Sequence, residues 1–272
     1  MNIKSQSLFL LFIGGLLAFS PNHKNLALND VQPLRKLNQQ AFKKGEFLRF
    51  DVSYGYFAAA RATLEISESS QQINGHNTMH IVGKGASSGA LSWFFKVEDR
   101  YETFIDEESI LPWKFIRHVR EGDYALDREI SFHQNINKAT VIENGNKHFK
   151  VEPNTQDLLS AFYYARTLDM VNIRVGQEFE IQTFFDREMY PLKFKYLGKE
   201  VVKTKLGSFN CLKFRPMVEK GRVFKEEEDM TLWVSDDQNK VPIRLKTDLL
   251  VGSIEMDLVE YKNLVRPLNK LR

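Results

Sequence analysis

The sequence predicts a mainly β protein: two similar antiparallel β-meander halves forming a curved sheet, sandwich or barrel-like body, with one central linking α-helix. Three observations predict it. From residue 45 onward, segments of alternating apolar and polar residues recur along the chain, the pattern of strands with one buried face. One stretch alone, 154–171, carries apolar residues at helical spacing instead. The third observation is a turn written twice. "FIDEESILPWKF" (104–115) and "VSDDQNKVPIRL" (234–245) align at an offset of 130, with Asp106 on Asp236, Pro112 on Pro242 and Lys114 on Arg244.

The elements follow in order. "MNIKSQSLFLLFIGGLLAFS" has one Lys and then an apolar run from Leu8 to Phe19. That run is about half of the ~20 residues a membrane span needs and matches the apolar part of a secretory signal. Residues 1–20 are therefore expected to be a signal peptide, with small residues at Ala18 and Ser20 but an unfavourable Pro21 after them. No Cys follows the run, so lipoprotein anchoring is not expected. Residues 21–44 read as a polar leader arm with a short helix before Gly45. A single β-rich domain spans 45–264, with half-repeats 45–151 and 176–262 and a helix over 155–170.

In the first strand segment, 46–57, Phe47, Arg49 and Asp51 fall on one side and Leu48, Phe50, Val52, Tyr54 and Tyr56 on the other. Segments 60–69 and 77–85 flank an Asn74-Gly75 hairpin turn. Segments 99–106 and 111–122 flank the Asp106 turn, and 123–133 and 138–152 complete the half. In the helix, Leu158, Ala161, Phe162, Ala165 and Leu168 form one apolar stripe. Asn154 or Thr155 can cap it, and Asp157 falls in its first turn. Strand segments then resume at 176–185, 188–198, 200–207, 209–218, 227–237, 240–252 and 253–263. At the same offset of 130, Gly122 meets Gly252 and Asp127 meets Asp257, and the Gly75 turn is echoed at Gly207. Two copies of one meander, or hairpins alike only because hairpins are alike, both remain open on this evidence.

Composition narrows the function classes. Hydrophobic residues make up 43% and charged residues 27%, which is globular composition. Thirty-eight basic and 35 acidic residues nearly balance, so no nucleic-acid partner is expected. Twenty-one Phe suit a large apolar core or the wall of an apolar cavity. Cys211 is the one cysteine, which excludes an intramolecular disulfide.

"GEFLRFDVSYGYFAAARATLEI", "DLLSAFYYAR", "GSFNCLKFRP", "LWVSDDQNKVPIRL" and "GSIEMDLVEY", in this order, resemble the bacterial domain-of-unknown-function family 3108 (DUF3108) from about Gly45 to Tyr261. The resemblance implies a β fold and an exported protein of the Gram-negative envelope, periplasmic in location. It supplies no catalytic residues to transfer.

No catalytic constellation stands out. His76 and His80 lie ~13 Å apart on one strand face, too far for one metal, and neither a metal site nor a cofactor is expected. Cys211 sits in an alternating strand and reads as a small buried apolar residue. Asp106-Glu107-Glu108 and Asp236-Asp237 are carboxylate groups of a kind that could cleave a glycoside, but turns use Asp to bind backbone N–H groups. The candidate ligand-binding residues are Asp157, Ser160, Tyr164 and Arg166 on the helix, with Trp93, Trp113 and Trp233 as apolar or sugar-stacking walls. Their competing reading is structural: Asp157 caps, Arg166 pairs with a strand carboxylate and the Trp rings fill the core. The leading functional expectation is a non-catalytic envelope protein that binds an apolar or amphipathic, lipid-like ligand or an envelope polymer such as a glycan. An enzyme acting on envelope glycans and a scaffold for another envelope protein are the alternatives. No transmembrane span is expected after signal removal.

Overall fold

The computed structural model describes residues 33–89, 92, 95–217, 230–249 and 252–271. The expected signal peptide, the leader arm up to residue 32 and Trp93 lie outside the described residues. Eight strands come first: β1 (Phe47–Tyr54), β2 (Phe57–Ile73), β3 (His76–Ser87), β4 (Glu98–Asp106), β5 (Pro112–Glu121), β6 (Tyr124–His133), β7 (Lys138–Ile142) and β8 (Lys147–Lys150). The α-helix α1 (Leu158–Thr167) follows. Then come β9 (Glu178–Phe185), β10 (Glu188–Thr204), β11 (Gly207–Pro216), β12 (Met230–Ser235), β13 (Pro242–Asp248), β14 (Ser253–Lys262) and a two-residue β15 (Lys270–Leu271).

All fifteen strands belong to one antiparallel sheet, ordered β8-β7-β6-β5-β4-β3-β2-β1-β14-β13-β12-β11-β10-β9, with β15 beside β11. Each run is a meander of neighbours in sequence, and the two runs meet where β1 pairs with β14. The runs open alike: eight-residue β1 and β9 are each followed by a seventeen-residue strand, β2 and β10. Both proline turns join the fourth strand of a run to the fifth. Pro112 opens β5 and Pro242 opens β13, each two residues after a left-handed residue, Ile110 (φ 55°) or Lys240 (φ 45°). Gly122 (φ 55°) and Gly252 (φ 77°) turn the next hairpin of each run, a conformation that a Cβ disfavours. Asp127 and Asp257 then pair with Arg120 and Arg244.

Curling brings the two ends of this sheet together. Phe184 of β9 packs edge-on against Phe132 of β6, with centroids 6.3 Å apart, and lies 5.3 Å from Phe149 of β8. Asp186, after β9, accepts from Arg117 of β5 at 2.8 Å and pairs with Arg128 of β6. The body is therefore barrel-like rather than two stacked sheets. One apolar cluster runs through both halves, from Leu48, Phe50 and Phe115 to Phe209, Leu245 and Leu258. The alternation read in β1 is realised, with Leu48, Phe50 and Val52 buried between half-exposed neighbours.

Three local expectations are corrected. No helix forms in 33–44. Gln39 turns the chain instead by accepting from the Ala41 and Phe42 amides, and both of these residues are buried in a second cluster with Ile81, Ile105 and Tyr163. Burial of that pair outweighs any helical tendency in so short a segment. Segments 188–198 and 200–207 form one strand, β10, because Gly198 (φ 119°) absorbs a bulge and pairing resumes after it. The helix cap is Asp157, not Asn154 or Thr155. The preceding Gln156 is held by β9, its amide donating to Gln182 O and its carbonyl accepting from Phe184 N, so the helix starts after it.

Candidate functional site

Helix α1 packs against β4 of the first run and β9 of the second. Its start is built from "DLLS". The Asp157 carboxylate accepts from the Leu159 and Ser160 amides at 2.8 and 2.9 Å, and Ser160 Oγ accepts from the Asp157 amide at 2.8 Å. That reciprocal box satisfies amides that the helix leaves unpaired. Thr103 of β4 adds a 2.5 Å hydrogen bond to Asp157 Oδ2. Complete burial pushes the Asp157 carboxyl up to about 6, against the opposing pull of Thr103 and the two amides.

At the other end of the helix, Arg166 is fully buried. Its guanidinium donates to both Glu46 oxygens at 2.6 and 2.8 Å, to Ala41 O at 3.0 Å and to Asn239 O at 2.9 Å. Phe42, Tyr163 and Phe162 surround it at 5.1–5.9 Å. Burial opposes its charge, but Glu46 more than offsets that and raises its pKa. One side chain thus joins the arm, the approach to β1, the β12–β13 turn and the helix. Tyr164 is half-buried beneath the Arg35 guanidinium, 4.0 Å above its ring.

The two described tryptophans are interior. Trp113 Nε1 donates to Asp106 at 3.3 Å and its ring lies 4.5 Å from that of His76, while Trp233 Nε1 donates to Glu200 at 3.2 Å. Neither presents an open face for a sugar to stack on, since both are at least nine-tenths buried. The turn carboxylates are engaged as well. Asp106 accepts from the Glu108 and Ser109 amides, and Asp237 from the Asn239 and Lys240 amides. Burial works against the Asp106 charge, yet its donors hold the carboxyl below its ordinary range. Burial raises the Cys211 thiol to about 12, which leaves it unreactive. Among the described residues no group of three His, Cys, Asp or Glu side chains is placed to hold a metal ion.

Beside the helix lies a half-open cavity of about 150 Å³. It occupies the interior of the second run, between α1 and strands β10 to β14, with β1 and β2 closing one side. Phe162 and Ala165 of the predicted stripe form part of its wall. The better-buried face of the helix carries Leu158, Leu159, Ala161 and Tyr163 instead. Among the described residues, all those lining the cavity are apolar except Thr63, Arg166, Lys193 and Lys240. Of the described candidate ligand-binding residues, Arg166 borders this space, and Asp157, Ser160, Tyr164, Trp113 and Trp233 do not. Sequence reasoning missed the rest of the wall, including Met230, Leu232, Leu245 and Met256. Each alternates as an ordinary inward strand residue, and no local signal separates a cavity wall from a packed core.

The family model described as "Protein of unknown function (DUF3108)" matches residues 49–259. Among solved structures, a β-barrel-like protein of the DUF1849 domain from Brucella abortus superposes with a TM-score of 0.52 at 8% identity, covering 82% of this chain and 99% of its own. That likeness shows the fold alone. A protein described as exported, with a YmcC-like fold, from Bacteroides fragilis gives a TM-score of 0.30 at 9% identity over 85% of this chain and 100% of its own. One described as a lipoprotein from Parabacteroides distasonis gives 0.33 at 11% identity, again over 85% and 100%. No curated protein matches. No helix among the described residues is long and apolar enough to cross a membrane.

Proposed function

The chain belongs to this family of proteins of unknown function, DUF3108, and on that premise we propose that it is an exported envelope protein that holds an apolar or amphipathic ligand in the cavity beside α1, without chemistry on that ligand. The cavity carries this reading. Protein interiors are close-packed, whereas this space of about 150 Å³ is open on one side and exposes an apolar wall that an apolar ligand would withdraw from water. A wall of Met, Leu and Phe takes up apolar groups from water without needing matched polar partners. The turn carboxylates serve their own turns and the two described tryptophans, Trp113 and Trp233, are buried, which favours a small amphiphile over an envelope glycan.

Export rests on the Leu8–Phe19 run ahead of the domain, and a periplasmic location is part of the proposal. We read 45–264 as one domain, with 45–151 and 176–262 as copies of a single unit joined through α1. Native mass spectrometry of the full chain, secreted by its own signal in a Gram-negative host, tests the reading. The expected result is a retained adduct of a few hundred daltons that is lost on delipidation. Protein that stays cytoplasmic refutes export. Exported protein that stays apo, and takes up no aliphatic probe when challenged, refutes ligand holding.

A further inference from the structure

We propose that the ligand is a single-chain anionic amphiphile whose acidic headgroup is bound by the Lys240 ammonium. The inference rests on the cavity reading above and deepens it. Among the described residues, every charged side chain that reaches the cavity wall is a cation: Arg166, Lys193 and Lys240. Two of them are already engaged. Arg166 is ion-paired with Glu46 and bonded to two carbonyls, and Lys193 pairs with Glu180 at 3.2 Å. Lys240 has no ion pair or side-chain hydrogen bond among the described residues, although it is partly buried.

Its placement is built rather than incidental. The β12–β13 turn holds the Lys240 backbone left-handed at φ 45°, its amide donates to Asp237 Oδ1 at 3.3 Å, and Pro242 follows. The backbone is thus rigid and the side chain borders an apolar space. Burial and the nearby Arg166 press the ammonium to lose its charge, and together they outweigh the Asp169 and Asp237 carboxylates that favour it. An anion at the cavity would relieve both effects. A neutral headgroup would relieve neither, and a cation would add to the repulsion.

Size sets the tail. A 150 Å³ apolar cavity admits roughly a benzene-sized group, so about six carbons of one chain fit and a longer chain leaves through the open side. Met170, Met230 and Met256 line the space and adapt to a flexible chain better than branched residues do.

The test is isothermal titration calorimetry of the full mature chain with octanoate, octyl phosphate, octan-1-ol and octylammonium at pH 7, below their aggregation concentrations. Octanoate or octyl phosphate should bind at least about tenfold tighter than octanol, and octylammonium weaker than octanol. The relative affinities of the two anions distinguish a carboxylate from a phosphate headgroup. Lys240→Met should erase the preference for anions while leaving octanol binding intact, and Lys240→Arg should keep it. Equal binding of octanoate and octanol, or an anion preference that survives Lys240→Met, overturns this inference and leaves the cavity reading standing. Failure of all four probes overturns both. Equal binding of octanoate and octanol by the unmodified protein overturns the inference even where a Lys240 variant does not fold.

Discussion

Removing the Arg166 guanidinium should destabilise the whole body, and the structure says by how much. Arg166 and Glu46 are 2% and 0% exposed, joined through two hydrogen bonds of 2.6 and 2.8 Å. Arg166→Met keeps the stem but leaves the Glu46 carboxylate buried without its cation. Breaking one side of such a pair costs ~3–5 kcal/mol, and Glu46→Leu should cost a similar amount by stranding the guanidinium charge. Removing both charges is different. Arg166→Met with Glu46→Leu leaves no buried charge, and buried ion pairs replaced by apolar groups are often neutral in net effect. The carbonyls of Ala41 and Asn239 do lose their donor, at about 1 kcal/mol each. The double variant should therefore sit ~2 kcal/mol below wild type, whereas simple addition of the two single losses gives ~6–10 kcal/mol. Urea unfolding at pH 7, followed by far-ultraviolet circular dichroism on all four proteins, measures the cycle. Single variants within about 1 kcal/mol of wild type, or a double variant as unstable as the sum, would refute the view that this pair clasps arm, turn and helix together.

Two further perturbations separate cavity wall from core and test the buried cap. Phe162 is half-buried on the cavity wall, so Phe162→Ala should cost only ~1–2 kcal/mol in urea unfolding, against the ~3–5 kcal/mol of a packed phenylalanine such as Phe132; equal losses at the two sites would place Phe162 in the core. Asp157 has its carboxyl pushed up to about 6 by burial, above the unfolded value of ~3.9. The native state then binds the extra proton between those values, so this group's stabilisation is complete below pH ~4 and is lost as pH rises through about 6. Asp157→Asn removes that dependence. Its stability relative to wild type should improve by up to about 3 kcal/mol between pH 4 and pH 7, and a difference that stays flat over this range would contradict the assignment.

Much of the architecture is decided by interactions between near neighbours, and for that reason it was legible in the residues. Alternation marks β1 because Leu48, Phe50 and Val52 share one face of a strand whatever it later pairs with. The Asp106 turn shows itself through its side chain bonding two amides within three residues. Meander pairing follows because each strand turns back on its predecessor through a short hairpin. The duplicated proline turn foretold two similar runs for the same reason: the left-handed residue, the proline and the following glycine are local requirements.

What the tertiary structure alone decided depends on contacts far apart in sequence. Curling of the sheet brings Phe184 to Phe132 and Phe149 and closes a barrel-like body where the alternation allowed a sandwich equally well. The partner of Arg166 lies 120 residues away, and the sequence named only "a strand carboxylate", not Glu46. The face that α1 turns to the cavity is likewise a matter of which strands surround it: Phe162 and Ala165 follow the same helical period as Leu158 and Ala161 yet end on the cavity wall. Lys240 reads in the sequence as a turn lysine before a proline, and its nearness to an apolar cavity arises only when β10 through β14 wrap around the helix. Periodicity reports which side of an element is apolar; whether atoms or a ligand fill the space opposite that side is settled by the distance between elements, which no local pattern encodes.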